Sequence, residues 1–306
     1  MSRLRRAGLA VFVMAAGVSL AWALARPQLS LPTALTRMLA DGSAVVVLGL
    51  AAVPFLDVPR HRAELAGRSA PVLAVAAGVW LVAELVRLVI AAAATADVTV
   101  LDLGVRTTAE YATATVAGRA DLISVLCAAA VVAAAVTVRG TRPTALIAGI
   151  AALGTASRTL AGHLSDSALG GVAVTLHALA AAVWCGLLAA LVLTVGHRGQ
   201  WARVLPRFSV LSLWCVLVLL VGGVLSAAVT LGSPAALIGS GYGRLLLAKV
   251  VVTAGLMALA WQNRSQWLPS ARGHRVSAQV SARRSGTELA LMAVALTLAA
   301  ALAVTG

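Results

Sequence analysis

Charge is scarce in this chain: 11% of its 306 residues are Asp, Glu, Lys or Arg, against about a quarter in soluble globular domains. With 61% hydrophobic residues and a mean hydropathy of +0.97, a soluble globule is excluded, and soluble catalysis with it. Cysteine is nearly absent. The three present, Cys127, Cys185 and Cys215, are odd in number and lie inside apolar runs, which excludes a disulfide framework. Acidic residues are few, ten against 24 Lys and Arg, for a net charge of +14. In a soluble protein that excess would suggest nucleic acid; among long apolar runs it is an orientation signal, and no nucleic-acid partner is expected. The chain also lacks a Walker-type phosphate loop, an H-E-x-x-H, a C-x-x-C and any soluble segment long enough for a nucleotide-binding domain. ATP-driven transport by this chain alone is therefore excluded, and no enzymatic activity is expected.

What the sequence does have is long apolar runs, at about 7–25, 35–56, 71–94, 119–138, 143–160, 167–196, 207–231, 242–262 and 286–305. A membrane span needs about 20 apolar residues. The runs predict an all-α fold, a polytopic transmembrane helical bundle of about nine spans in the lipid bilayer of the cell (cytoplasmic) membrane. Placing the N-terminus inside puts sixteen arginines on the inner side and six on the outer side, with every inner loop basic, so the positive-inside rule predicts N-in and C-out. Acidic residues run the other way: Asp41, Asp97, Asp102, Glu110, Asp121 and Asp166 fall outside or at the outer boundary. The outer face is then near neutral and can admit a cation. Residues Ser2–Arg6, a short apolar stretch and Ala23-Leu24-Ala25 also fit a secretory signal with a small-residue cleavage site, which would leave eight spans. The chain divides into an N-terminal half, 1–156, with spans one to five, and a second half, 157–306, with the remaining four and the outer loop before them.

Ionisable groups at membrane depth are costly unless paired or wet, so each is a candidate for function. Glu84 and Arg87, three apart on the third span, share a helix face and can neutralise each other, as a structural pair or as a gate facing substrate. Lys249, seven residues beyond Tyr242, can snorkel to the outer interface or serve a site. The sixth span carries His177 ten residues beyond Asp166, near mid-membrane, with Trp184 seven residues further on and so on the same face. Imidazole binds copper, zinc, iron and nickel and changes charge near neutral pH; metal ligand, haem ligand and proton relay all remain open. Cys185 and Cys215 fall at comparable depth in the inner half, as core thiols or as a soft pair that takes Cu(I) from His177.

From about Ser157 onward an ordered set of features stands out: Ala161-Gly162-His163 before the sixth span, Leu176-His177-x-x-Ala180-Ala181-x-x-Trp184-x-Gly186 within it, Arg207-Phe208-Ser209 opening the seventh, Tyr242-Gly243-Arg244 through Lys249 opening the eighth, and Asn263-Arg264 closing it, with Pro269 shortly after. In that order and spacing the second half resembles the CopD family of copper-resistance membrane proteins. The resemblance implies copper movement between the outer compartment and the cytoplasm, inward, with the ion delivered by a separate CopC-like extracytoplasmic carrier, because no outer segment is long enough to hold a fused one. Two features depart from the family: Gly186-Leu187 stands where a double glycine often follows the tryptophan, and the five methionines are scattered rather than clustered.

Copper transport or homeostasis is therefore the expected function, with His163 and His177 as metal stations and Asp166, Cys185 and Cys215 as weaker candidates. His163, at the outer boundary, receives the ion and His177 holds it at mid-depth, with Trp184 shaping the wall beneath. The alternatives are a haem-binding electron-transfer membrane protein, since intramembrane histidines also serve as axial haem ligands, and a factor that helps insert copper into a respiratory oxidase. Oligomeric state is not legible in the sequence.

Overall fold

The computed structural model describes residues 16–25, 31–137, 142–160, 168–230, 236–267, 269 and 277–305. Among these, every regular element is helical, as a chain in lipid requires: a helix satisfies its own backbone N–H and C=O groups where no water is available to do so. The elements are α1 (Ala16–Ala25), α2 (Leu31–Ala52), α3 (Arg62–Thr95), α4 (Val105–Ala114), α5 (Val116–Thr137), α6 (Arg142–Leu160), α7 (Ala168–Thr194), α8 (Arg198–Thr230), α9 (Ala236–Gly239), α10 (Gly241–Gln262), a π-helical turn (Asn263–Trp267) and α11 (Ala278–Thr305). Seven of the helical segments are long and apolar enough to cross a membrane; α6 and the described part of α1 are shorter apolar helices. The nine apolar runs thus fall on helix wherever they are described. The protein is an all-α, polytopic membrane bundle.

Its centre is α2, which packs on α3, α6, α7 and α11. The core there is built from Leu50, Trp80, Leu188, Leu191 and Met292, all essentially inaccessible. Lipid is as apolar as these side chains, so close backbone approach rather than exclusion from water must hold the spans together. Gly49 of α2 and Gly186 of α7 provide it: a Cβ on Gly49 would fall 1.9 Å from the Gly186 carbonyl oxygen, and one on Gly186 would fall 2.2 Å from that of Val45. The second half closes onto this centre through α7 against α8 and α11 against α10. Arg244, at the start of α10, donates from Nε to the Leu24 carbonyl at 3.0 Å, joining α1 to it.

The turn from α2 to α3, the turn from α7 to α8 and the π-turn lie at one end of the bundle, the arginine-rich end. There Asp57 is fully buried. Arg203 grips it bidentately, Nε to Oδ1 at 2.9 Å and Nη2 to Oδ2 at 3.1 Å, and the Val58 amide donates to Oδ1 at 2.8 Å. Burial alone would raise the carboxyl's pKa; the Arg203 hydrogen bonds and the Val58 amide outweigh it and hold Asp57 below the usual carboxylate range.

At the opposite end runs the connection 95–118, between the third and fourth apolar runs. It contains α4, whose Tyr111 and Ala112 are buried against α3 and α5. Helix α3 ends on Asp97 at φ 54°, with Val98 N–H reaching back to the Ala93 carbonyl at 3.1 Å, a left-handed terminus that Asp tolerates better than most residues.

Candidate functional site

Among the described residues, two polar sites stand out at the centre of the apolar bundle. The larger is a cluster of six charges on four helices: Arg37 and Asp41 of α2, Glu84 and Arg87 of α3, Asp121 of α5 and Arg158 of α6. Glu84 is wholly buried. Its Oε1 accepts from Trp80 Nε1 at 2.9 Å and from Ser124 Oγ at 2.8 Å, and its Oε2 accepts from Arg87 Nε at 3.1 Å. Arg87 Nη2 also donates to Asp121 Oδ1, and Asp121 Oδ2 accepts from Tyr111 Oη at 3.0 Å. Arg158 bridges the other way, Nη2 to Asp41 Oδ1 at 2.5 Å. Its Nη1 lies 3.2 Å from Glu84 Oε1 but is not aligned to hydrogen-bond there, so that contact is Coulombic. Arg37 completes the cluster at 3.6 Å from Asp41. Three cations meet three anions, which is how a membrane interior tolerates charge. In α4, burial and the Asp121 carboxylate both push the pKa of the Tyr111 phenol up, so the hydroxyl stays a donor.

The expected Glu84–Arg87 pair is therefore real but is not self-contained. Asp41, Asp121, Arg37 and Arg158, which the hydropathy pattern assigns to the outer boundary, are interior members of the same cluster. Removing two residues of each sign from the outer tally leaves that face near neutral, as before.

The smaller site surrounds His177, about 14 Å along α7 from its first residue at 1.5 Å per residue. The imidazole is half-buried. Its Nδ1 lies 3.0 Å from the Leu219 carbonyl of α8; a carbonyl only accepts, so Nδ1 carries the hydrogen. In the neutral ring this leaves the Nε2 lone pair free, the arrangement by which outer partners orient metal-binding histidines. Space for the ring is made by Gly222 and Gly223: a Cβ on Gly222 would stand 2.9 Å from His177 Cβ, and one on Gly223 3.5 Å from Cε1. Lys249 of α10 is within electrostatic reach of the ring.

Of the other sequence candidates, His163 and Asp166 lie outside the described residues. Trp184 is buried, and its Nε1 has no hydrogen-bond partner among the described residues. Cys185 and Cys215 are buried free thiols on the facing helices α7 and α8, within electrostatic reach of each other and, for Cys185, of Glu288. Cys185 stands eight residues beyond His177, about 12 Å deeper along the helix. Among the described residues no group of three or more His, Cys, Asp and Glu is arranged to hold a metal ion. Glu288 of α11, near the start of the last apolar run, is not among the sequence candidates. It is 4% exposed, and its Oε2 accepts from Asn263 Nδ2 at 2.9 Å.

The fold is that of a polytopic helical membrane protein with a histidine and a balanced charge cluster inside its apolar bundle. The family comparison is more specific. Residues 27–172 match the Copper resistance protein D-like N-terminal domain and residues 202–302 match Copper resistance protein D. Together these cover most of the chain, and the protein belongs to the CopD family of copper-resistance proteins. The first half thus has its own family match beside that of the second, and Leu176–Gly186 lies between the two matched ranges. Neither a curated protein nor a solved structure matches the chain.

Proposed function

We propose that this copper-related membrane protein transports copper ions across the cytoplasmic membrane, inward, without enzymatic chemistry, using His177 as the mid-membrane station. The observation that carries the reading is the fixed tautomer: the Leu219 carbonyl accepts from Nδ1, 3.0 Å away, so the neutral ring turns a free Nε2 lone pair to an ion without first having to be reoriented. Lys249 nearby disfavours a permanently held cation. That suits a station on a path, which must bind well enough to admit the ion and weakly enough to release it. In this reading the arginine-rich end faces the cytoplasm, His163 receives the ion on the outer side from a separate CopC-like carrier, and the six-charge cluster braces α2, α3, α5 and α6 beside the path.

The test is cellular copper, measured by mass spectrometry in a deletion strain carrying the parent or His177→Ala, with oxidase activity followed in parallel. Lower copper with His177→Ala at equal membrane abundance supports transport. Unchanged copper with lost oxidase activity would instead identify an assembly factor.

A further inference from the structure

Helices α8, α10 and α11 and the π-turn line a half-open cavity of about 170 Å³ near the arginine-rich end. Its wall is mostly apolar, but Glu288, Asn263, Ser209, Ser212, Arg264 and the Met257 thioether all reach it. The volume accommodates several waters or a partly hydrated cation. Glu288 is the anomaly. Every other buried carboxylate described in the spans sits against an arginine. Glu288 instead has one neutral donor, Asn263, and among the described residues it has no cation within ion-pair distance.

The groups packed around it can be named. From the π-turn come Asn263 and Arg264, and Arg264 is exposed, with Nη1 committed to the Ser209 carbonyl at 2.9 Å and hydroxyl at 2.8 Å. From α7 comes the Cys185 thiol, with Cys215 of α8 beside it. On its own helix Arg283 and Arg284 lie about one turn away and are exposed. The charged residues of α2 are Arg37 and Asp41, both in the distant cluster, and those of α10 are Arg244, bonded to the Leu24 carbonyl, and Lys249, near His177. A bare carboxylate in such surroundings is costly, whereas a protonated one is tolerated.

We propose that Glu288 is a proton-exchanging copper site at the cytoplasmic end of the route. With the cavity empty the side chain is the neutral acid, accepting from Asn263. When a cuprous ion arrives, the carboxyl O–H bond breaks, the proton passes to cavity water, and the freed oxygen binds the metal beside the soft Met257 sulfur, with no change of oxidation state. Copper entry is thereby coupled to proton release. This rests on the transport reading above.

The experiment uses the full chain in liposomes, a pulse of copper under reducing conditions, a pH-sensitive dye and metal counted in washed vesicles. Glu288→Gln imitates the neutral acid, keeps the acceptor for Asn263 and is checked for an unchanged melting temperature. The parent should release protons as copper enters. Its infrared difference spectrum should lose the protonated-carboxyl C=O band on copper loading, and Glu288→Gln should show neither signal. If the parent moves copper with no proton and no change in that band, or if Glu288→Gln retains both, the proposal is wrong while transport stands. If the parent takes up no copper, the transport reading fails first.

Discussion

Replacing Glu84 by Gln removes one charge from the six-charge cluster while keeping an acceptor for Trp80 and Ser124. Arg87 retains Asp121 and Arg158 retains Asp41, but three cations now face two anions in a buried site. Breaking a buried pair in this way costs about 3–5 kcal/mol; even the lower figure is about a 100-fold shift in the folded ratio, at 1.4 kcal/mol per tenfold. Two double variants restore neutrality in different ways. Glu84→Gln with Arg158→Gln leaves Arg87 on Asp121 and Arg37 at 3.6 Å from Asp41, two whole pairs. Glu84→Gln with Arg87→Gln strands Asp121 with the Tyr111 hydroxyl alone. The first double should therefore recover about 2 kcal/mol of the single variant's loss and the second none. Unfolding of the detergent-purified proteins, followed by circular dichroism in an SDS titration, ranks them. If the Arg87 double is the more stable, Glu84 and Arg87 form a closed pair and the network account is refuted; additive losses in both doubles would show that the charges do not couple at all.

Three further outcomes follow from particular contacts. Gly222→Ala places a Cβ 2.9 Å from His177 Cβ and 3.2 Å from the Ala173 carbonyl, so α7 and α8 must part at a cost of about 1–3 kcal/mol; copper uptake should fall at least tenfold. Gly223→Ala meets His177 at an ordinary 3.5 Å and should keep parental uptake, so equal behaviour of the two would mean that the glycine niche does not set the ring's position. Asp57, whose folded carboxyl lies below the ordinary value, stabilises the protein above its unfolded pKa of about 4 and loses that contribution as pH falls through the lower folded value. Asp57→Asn should accordingly lower the melting temperature at pH 7, with the gap to the parent closing below about pH 4; a gap independent of pH would contradict the Arg203 account.

The spans were legible because hydrocarbon demands uninterrupted apolar length, and such runs are visible in one dimension. Helix α4 was not, since ten residues holding Arg106, Glu110 and three threonines look like loop until Tyr111 is seen to turn inward; the i,i+4 spacing of Arg106 and Glu110, which pair at 2.8 Å, was the available signal. Arg158, Asp121 and Asp41 stand near the ends of apolar runs, where hydropathy assigns them to the surface, and only the packing of α2, α3, α5 and α6 brings them together. His177 was found from depth alone. Its partner is a backbone carbonyl, which no side-chain pattern reveals, although the adjacent Gly222-Gly223 marked where another helix would approach. Glu288 was missed for the reason Arg158 was: α11 begins at Ala278, earlier than the apolar run at 286, which moves Glu288 into the bundle.

The central claim is that copper crosses by way of His177, and uptake into sealed liposomes holding the purified protein tests it most directly. The parent should accumulate copper above protein-free liposomes, and His177→Ala, inserted to the same density, should fall to the protein-free level. Copper uptake by His177→Ala at the parental rate would contradict the account, leaving the histidine as a helix-packing residue bonded to Leu219.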